Sequence, residues 1–187
     1  MSDPYGLGLR QKMVRLEKPD PRWTEAFDSE AARIAVALGA FHASVEHCGS
    51  TSVPGIPAKP IIDILIGIPV PIDVAAIAGA LAGIGYEHAT WAGVPGHEVF
   101  GKGDPRTHLL HVVPHGEHAW ARMLAFRNAL RSDPALALEY AALKQDLAAR
   151  FPDDRAAYTD GKSLFVASVL AACPPAGTQA GNSREEP

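Results

Sequence analysis

His47-Cys48-Gly49-Ser50-Thr51-Ser52-Val53-Pro54-Gly55, followed closely by Lys59-Pro60-Ile61-Ile62-Asp63-Ile64-Leu65-Ile66, is the stretch that decides how this chain folds. A turn of small, hydroxyl-bearing residues feeds a strongly apolar segment carrying one carboxylate. Glycine permits a tight turn and close approach of a ligand, and the hydroxyls with Lys59 can hold an anion. The segment from Pro60 to Ile68 reads as a strand that is apolar on both faces, as in the middle of a covered sheet. Asp63 stands out there, because an isolated charge inside a sheet is costly.

Working outward, Asp20-Pro21 predicts a helix start, with Asp capping free amides and Pro fitting the first turn. Trp23, Phe27, Ile34 and Leu38 then form one apolar helix face. Residues 41–46 read as a short strand entering the hydroxyl-rich turn, and residues 74–81 as a small alanine-rich helix. His97 to Gly101 and Thr107 to Val113 read as antiparallel partners around Lys102-Gly103-Asp104-Pro105-Arg106, a strong turn signal. In the second of these strands His111 shares a face with Leu109 and Val113, while His108 sides with Leu110 and Val112. Beyond Glu117 the chain turns helical. One helix carries Trp120, Leu124, Arg127 and Leu130, and a second starts at Asp133-Pro134 with Leu136, Tyr140, Leu143, Leu147 and Phe151 on its packing face. A third, after Asp153-Asp154, carries Tyr158, Lys162, Phe165 and Val166.

These elements predict an α/β (α+β) domain over residues 1–173, with a mixed sheet and a carboxy-terminal helical layer. Residues 1–19 form a leader arm, and residues 174–187 lack a hydrophobic face and read as a disordered tail. The 187 residues, 47% hydrophobic and 20% charged, suffice for one substantial core. A net charge of −4 argues against a broad nucleic-acid surface. Two cysteines, Cys48 and Cys173, give neither a disulfide framework nor a zinc spacing. With no signal-peptide pattern and no apolar run of membrane-spanning length, the expected location is the cytoplasm, away from membranes.

The candidate site grows from the opening stretch. Gly49, Ser50, Thr51 and Ser52 can cradle phosphate through amides and hydroxyls, and Lys59 adds a neutralising charge. Asp63 can hold a metal or orient a nucleophile; the alternative is a structural carboxylate bonded to loop amides or to Lys59. His47 and His111 are each able to ligate a metal, act as a base or bond a phosphate. Arg127, Lys144 and Lys162 lie beside apolar residues, so their stems can cover packing surface while their heads reach a cleft. Dinucleotide-binding and phosphate-loop glycine motifs are absent, and no Gly-x-Ser-x-Gly elbow surrounds Ser50 or Ser52.

From about Val14 to Leu170 the chain resembles the GrpB family. The resemblance is carried by Glu46 to Gly55 and by Ala58-Lys59-Pro60-Ile61-Ile62-Asp63. Further matches are Gly103 to His108, His111-Val112-Val113, Phe126-Arg127, Tyr140 to Lys144 and Tyr158 to Lys162. That family is regarded as nucleotidyltransferase-like in fold. The resemblance implies that Gly49-Ser50 matches the glycine-serine phosphate loop of such enzymes, and Asp63 the first acid of their paired-acid strand. Leu65 occupies the second acid position, which weakens metal-assisted transfer more than it weakens nucleotide binding. Two readings stay open. In the first, a metal-dependent nucleotidyltransferase or nucleotide-binding protein takes a nucleoside triphosphate with Mg²⁺. There Asp63, His111 and His47 are the candidate metal ligands, Asp63 and His111 the candidate catalytic pair, and Gly49, Ser50, Thr51, Ser52, Lys59, Arg127, Lys144 and Lys162 hold phosphate. In the second, a non-catalytic domain binds a phosphorylated small molecule or a protein partner.

Overall fold

The computed structural model describes residues 3–90 and 96–173. The expected tail at residues 174–187 lies outside the described residues.

Five strands form one sheet in the order β1-β2-β5-β4-β3. They are β1 (Ser44–Cys48), β2 (Ile62–Ile68), β3 (Tyr86–His88), β4 (Glu98–Lys102) and β5 (His108–Pro114). β2 pairs antiparallel with β1 and parallel with β5, while the β4–β5 and β3–β4 pairs are antiparallel. The sheet is therefore mixed, as expected. Its hairpin turn brings β4 and β5 into the predicted partnership, with Val99 opposite His111.

Alternation along β2 sorts the two faces. Ile62, Ile64, Ile66 and Ile68 point to the back, where they join Ile34, Leu38, Ile77, Leu81, Phe100 and Leu110 in the main core. Two helices cover that face: α1 (Arg22–Ala37) and α2 (Val74–Ala82). The predicted stripe on α1 is real, with Trp23, Ile34 and Leu38 buried and Phe27 partly so. One buried ion pair crosses this layer, from the Lys102 ammonium to Glu30 at 2.6 Å.

The front face, bearing Asp63 and Leu65, meets the helical layer: α3 (His118–Ser132), α4 (Pro134–Arg150), α5 (Arg155–Asp160) and α6 (Ser163–Ala172). Asp133 caps α4 as the sequence predicts, accepting from the amides of Ala135 and Leu136. Three local expectations need correction. The first strand runs from Ser44 to Cys48 rather than from Phe41, because Gly39–Phe41 coil into a 3-10 turn that ends at His42 with φ 50°. β3 carries no apolar run and went unpredicted; it forms because Tyr86 to His88 add to the edge of β4. The last predicted helix is two helices. The break falls at Gly161, where an added Cβ would sit 2.4 Å from Leu147 Cδ2 of α4, so the chain turns on a residue without a side chain.

The leader lies as a strap along the body. Leu9 bridges to Arg106, Glu17 bridges to Ala58, and the Val14 amide donates to the Pro152 carbonyl at 2.7 Å.

Candidate functional site

Between the front of the sheet and the helical layer lies a cleft of about 1020 Å³, lined by residues of the leader, the Gly49 turn, β2, β4, β5 and the helices α3, α4 and α5. Sheet register assembles its centre. Asp63 of β2 and His111 of β5 lie on this face, and the carboxylate Oδ1 stands 3.9 Å from His111 Nε2. Both side chains stay partly open to solvent, at 28% and 15% exposure. Burial pushes the Asp63 carboxyl up, but His111, Lys59 and Arg155 outweigh it and hold it below its ordinary value.

The hydroxyl-rich turn is built around this carboxylate. Gly49 adopts φ 67°, and a Cβ there would fall 2.4 Å from Asp63 Oδ2, so only glycine lets the turn pass over the acid. Ser50–Ser52 continue as a 3-10 turn. Within it the Ser52 hydroxyl donates to the Gly49 carbonyl at 2.6 Å, which commits that side chain to the turn itself. Ser50 and Thr51 line the cleft. Two arginines of α3 fix the turn from outside. Arg127 donates to Glu46 Oε2 at 2.7 Å and to the His47 carbonyl at 2.9 Å, and Arg131 donates to the Ser52 carbonyl at 2.8 Å. Arg127 also lines the cleft, although its guanidinium is occupied by these partners.

Lys59 and Lys162 supply positive charge. Their ammonium groups lie 5.4 Å and 4.7 Å from the centre of the Tyr158 ring, and both line the cleft. Burial, aided by Arg155 and Lys162, brings the Lys59 amine down to about 7, with Asp63 acting in the opposite sense. Burial likewise lowers Lys162. Lys144 is placed differently. It is 1% exposed, outside the lining of the cleft, with Nζ donating to the Pro57 carbonyl at 2.5 Å and facing the Tyr140 ring at 4.9 Å.

His47 also sits apart from Asp63 and His111. It points to the back of the sheet, stacked on Phe27 of α1 at 4.5 Å, with Nε2 3.0 Å from Thr51 Oγ1. Burial brings it down to about 4, so it is neutral at pH 7. The structure therefore gathers Gly49, Ser50, Thr51, Lys59, Asp63, His111, Arg127 and Lys162 at one cleft. It leaves His47, Ser52 and Lys144 in supporting positions.

Several residues of the site escaped sequence reasoning. Tyr140 reads as a packing residue, yet it lines the cleft, together with Met123, Phe126 and Arg155. Tyr158 is different: its four-residue spacing to Lys162 puts an aromatic ring and an amine on one side of a helical turn, and both line the cleft.

Magnesium binds oxygen ligands, with one or two carboxylates joining substrate phosphates and water. Among the described residues no group of three or more His, Cys, Asp or Glu side chains is placed to hold a metal. Leu65 is fully buried against Cys48, Val113 and Trp120, and Glu46 is tied to Arg127. A protein-built two-metal cage does not fit these residues.

Comparison with known proteins agrees with the resemblance read from the motifs. The family pattern described as "GrpB protein" matches residues 13–172. The Glutamate-rich protein GrpB of Alkalihalophilus pseudofirmus is 35% identical over 170 residues, covering 88% of this chain and 98% of that protein. A UPF0157 protein of Pseudomonas aeruginosa is 43% identical across 81% of this chain, which spans 64% of that protein's length. The UPF0157 protein YqkA of Bacillus subtilis is 38% identical across 83% of this chain, which spans 46% of that protein. The crystal structure of the conserved protein GrpB from Enterococcus faecalis superposes with a TM-score of 0.77 at 35% identity, covering 85% of this chain and 96% of that one. With its motifs, its sheet and nearly its whole described length in agreement, this chain belongs to the GrpB family.

Proposed function

We propose that the cleft binds a phosphorylated small molecule, with a nucleotide as the leading candidate, in a nucleotidyltransferase-like scaffold. The observation that carries this reading is the placing of Lys59 and Lys162 on one tyrosine ring, in the same cleft as the Ser50–Thr51 turn. Two amines and two hydroxyl residues in a partly dehydrated space suit phosphate oxygens, because charge-assisted hydrogen bonds gain strength there. Met123, Phe126 and Leu130 give the cleft an apolar wall for the rest of the ligand. A magnesium ion would enter on the ligand's own phosphates, with Asp63 as its protein carboxylate. Asp63 and His111 form an acid–base pair of the kind that takes a proton from an acceptor hydroxyl, and their 3.9 Å separation is of the looser sort that tightens on binding.

Calorimetric titration with ATP, GTP, CTP and UTP, each with and without Mg²⁺, tests the reading. Binding by at least one is expected, weakened about tenfold or more in Lys59→Gln and Lys162→Gln. Absence of binding by all four rejects it. The burial of Leu65 where a second acid would stand favours a second reading, binding without transfer. Mass-spectrometric search for a nucleotidylated product separates the two.

A further inference from the structure

Lys59, Lys144 and Lys162 come from three parts of the chain and meet around two tyrosine rings, at 5.4 Å and 4.7 Å from Tyr158 and 4.9 Å from Tyr140. The hydrogen bond of Lys144 goes to a neutral carbonyl, that of Pro57, which does not compensate a charge. Two further charges act on the group: Arg155 from α5 repels Lys59 and Lys162, and Asp63 from β2 attracts them, while within the cluster Lys162 repels Lys59 and both repel Lys144. The remaining charged or titratable side chains on the cleft are the exposed Lys12, Asp153, Asp154 and Asp160, with His111 and the Glu46-bound Arg127.

Three ammonium ions with one facing carboxylate in a dehydrated space are mutually destabilising. Burial and like-charge repulsion both favour releasing a proton. Lys59 and Lys144 accordingly come down to about 7, and Lys162 is lowered. An anion placed among the amines outweighs both effects, because its attraction and hydrogen bonds favour the charged form of each amine.

We propose that the three-lysine cluster is a proton-linked anion receptor, which takes up a proton as it takes a multiply charged phosphate ligand. The proposal rests on the phosphorylated-ligand reading and adds its regulation. Lys59 and Lys162 touch the ligand. Lys144, behind Tyr140, contributes as a reservoir whose charge state responds to theirs. By linkage, affinity falls as pH rises above neutrality, by more than a fixed cationic site would lose.

Two measurements on the full chain decide the matter, and the first needs no ligand. Side-chain carbon NMR of the lysines across pH, assigned with Lys59→Arg and Lys162→Arg, is expected to show Lys59 and Lys144 titrating near neutrality. Titration of both in the ordinary lysine range, around pH 10, overturns the proposal whatever the protein binds. The second is calorimetry with ATP at about pH 8, where its phosphates are deprotonated, in two buffers of different ionisation enthalpy. Uptake of about one proton per ATP is expected, and heats that do not depend on the buffer overturn the proposal. Absence of any ATP binding counts against the underlying phosphate reading alone, and the NMR titration then stands as the test of the cluster.

Discussion

The two faces of one strand obey different rules. On the back of β2, four isoleucines meet the aliphatic surfaces of α1 and α2 and are all buried. On the front, Asp63 opens onto a cleft while Leu65, two residues on, is sealed under Trp120 of α3. The same backbone therefore carries a closed core on one side and, on the other, a boundary between dry packing and a wet site. That boundary falls between Asp63 and Leu65, so the position where a second acid would have to stand lies on its dry side. Chemistry at this sheet depends on how far α3 extends over it, as well as on which residue the strand carries.

The sharpest way to break the comparison is Leu65→Asp. If the front of β2 were uniformly a site, the new carboxylate would create a metal site; the packing around Leu65 predicts unfolding instead. Burying an unpaired charge there should cost more than about 4 kcal/mol, read as a collapse of the urea midpoint. Gain of metal binding with stability retained would overturn the boundary.

Gly49→Ala tests the front face alone. The added methyl meets the Asp63 carboxylate, and the positive φ adds strain, so a loss of about 2–4 kcal/mol is expected along with loss of ligand binding. The back core, probed by hydrogen exchange of the β2 amides, should keep its protection order.

Titration sharpens the contrast from both ends of the pH scale. His47 on the back and His97 beside His111 each fall to about 4, against 6.5 in the unfolded chain. Between those values the unfolded state holds more protons, so stability falls as pH drops from about 6.5 to about 4, by an order of one to three kcal/mol. His47→Gln should flatten that dependence in equilibrium urea unfolding. Lys144 gives the alkaline counterpart. Its folded value of about 7 lies below the unfolded 10.5, so the ligand-free protein should gain stability as pH rises between those limits. Lys144→Met should shrink that rise, leaving the share that belongs to Lys59, which also comes down to about 7.

The smallest effect belongs to the surface. Arg150 and Asp146 pair at 3.2 Å on α4, both about three-fifths exposed, and Arg150→Ala should change stability by less than about 0.5 kcal/mol.

What the sequence made legible follows the strength of local signals. β2, the hairpin around Gly103 and the Asp133 cap are written in runs and turn chemistry that act within a few residues, and all three stand. His111 could be assigned a face because alternation needs only the strand itself. Tyr140 and Arg155 could not be assigned to the cleft, since their role depends on how α4 and α5 lie against the sheet. Lys144 illustrates the reverse: a long cationic side chain in an apolar setting reads as a cleft residue, yet the backbone carbonyl of Pro57 captures its amine. The division of the last helix was hidden for the same reason, because the side chain that leaves no room at Gly161 belongs to Leu147, on another helix.

The parallel pairing of β2 with β5 has a kinetic consequence. The β4–β5 hairpin closes a short loop and can form early, whereas β2 must find β5 across all of α2, β3 and β4. Asp63 and His111 ride on those two strands, so acid and imidazole meet only when the long-range pairing is made. Recovery of ligand binding during refolding should thus report the closing of the sheet and lag behind any signal from the hairpin. The site is a late event in the life of the chain, assembled when the last register is set.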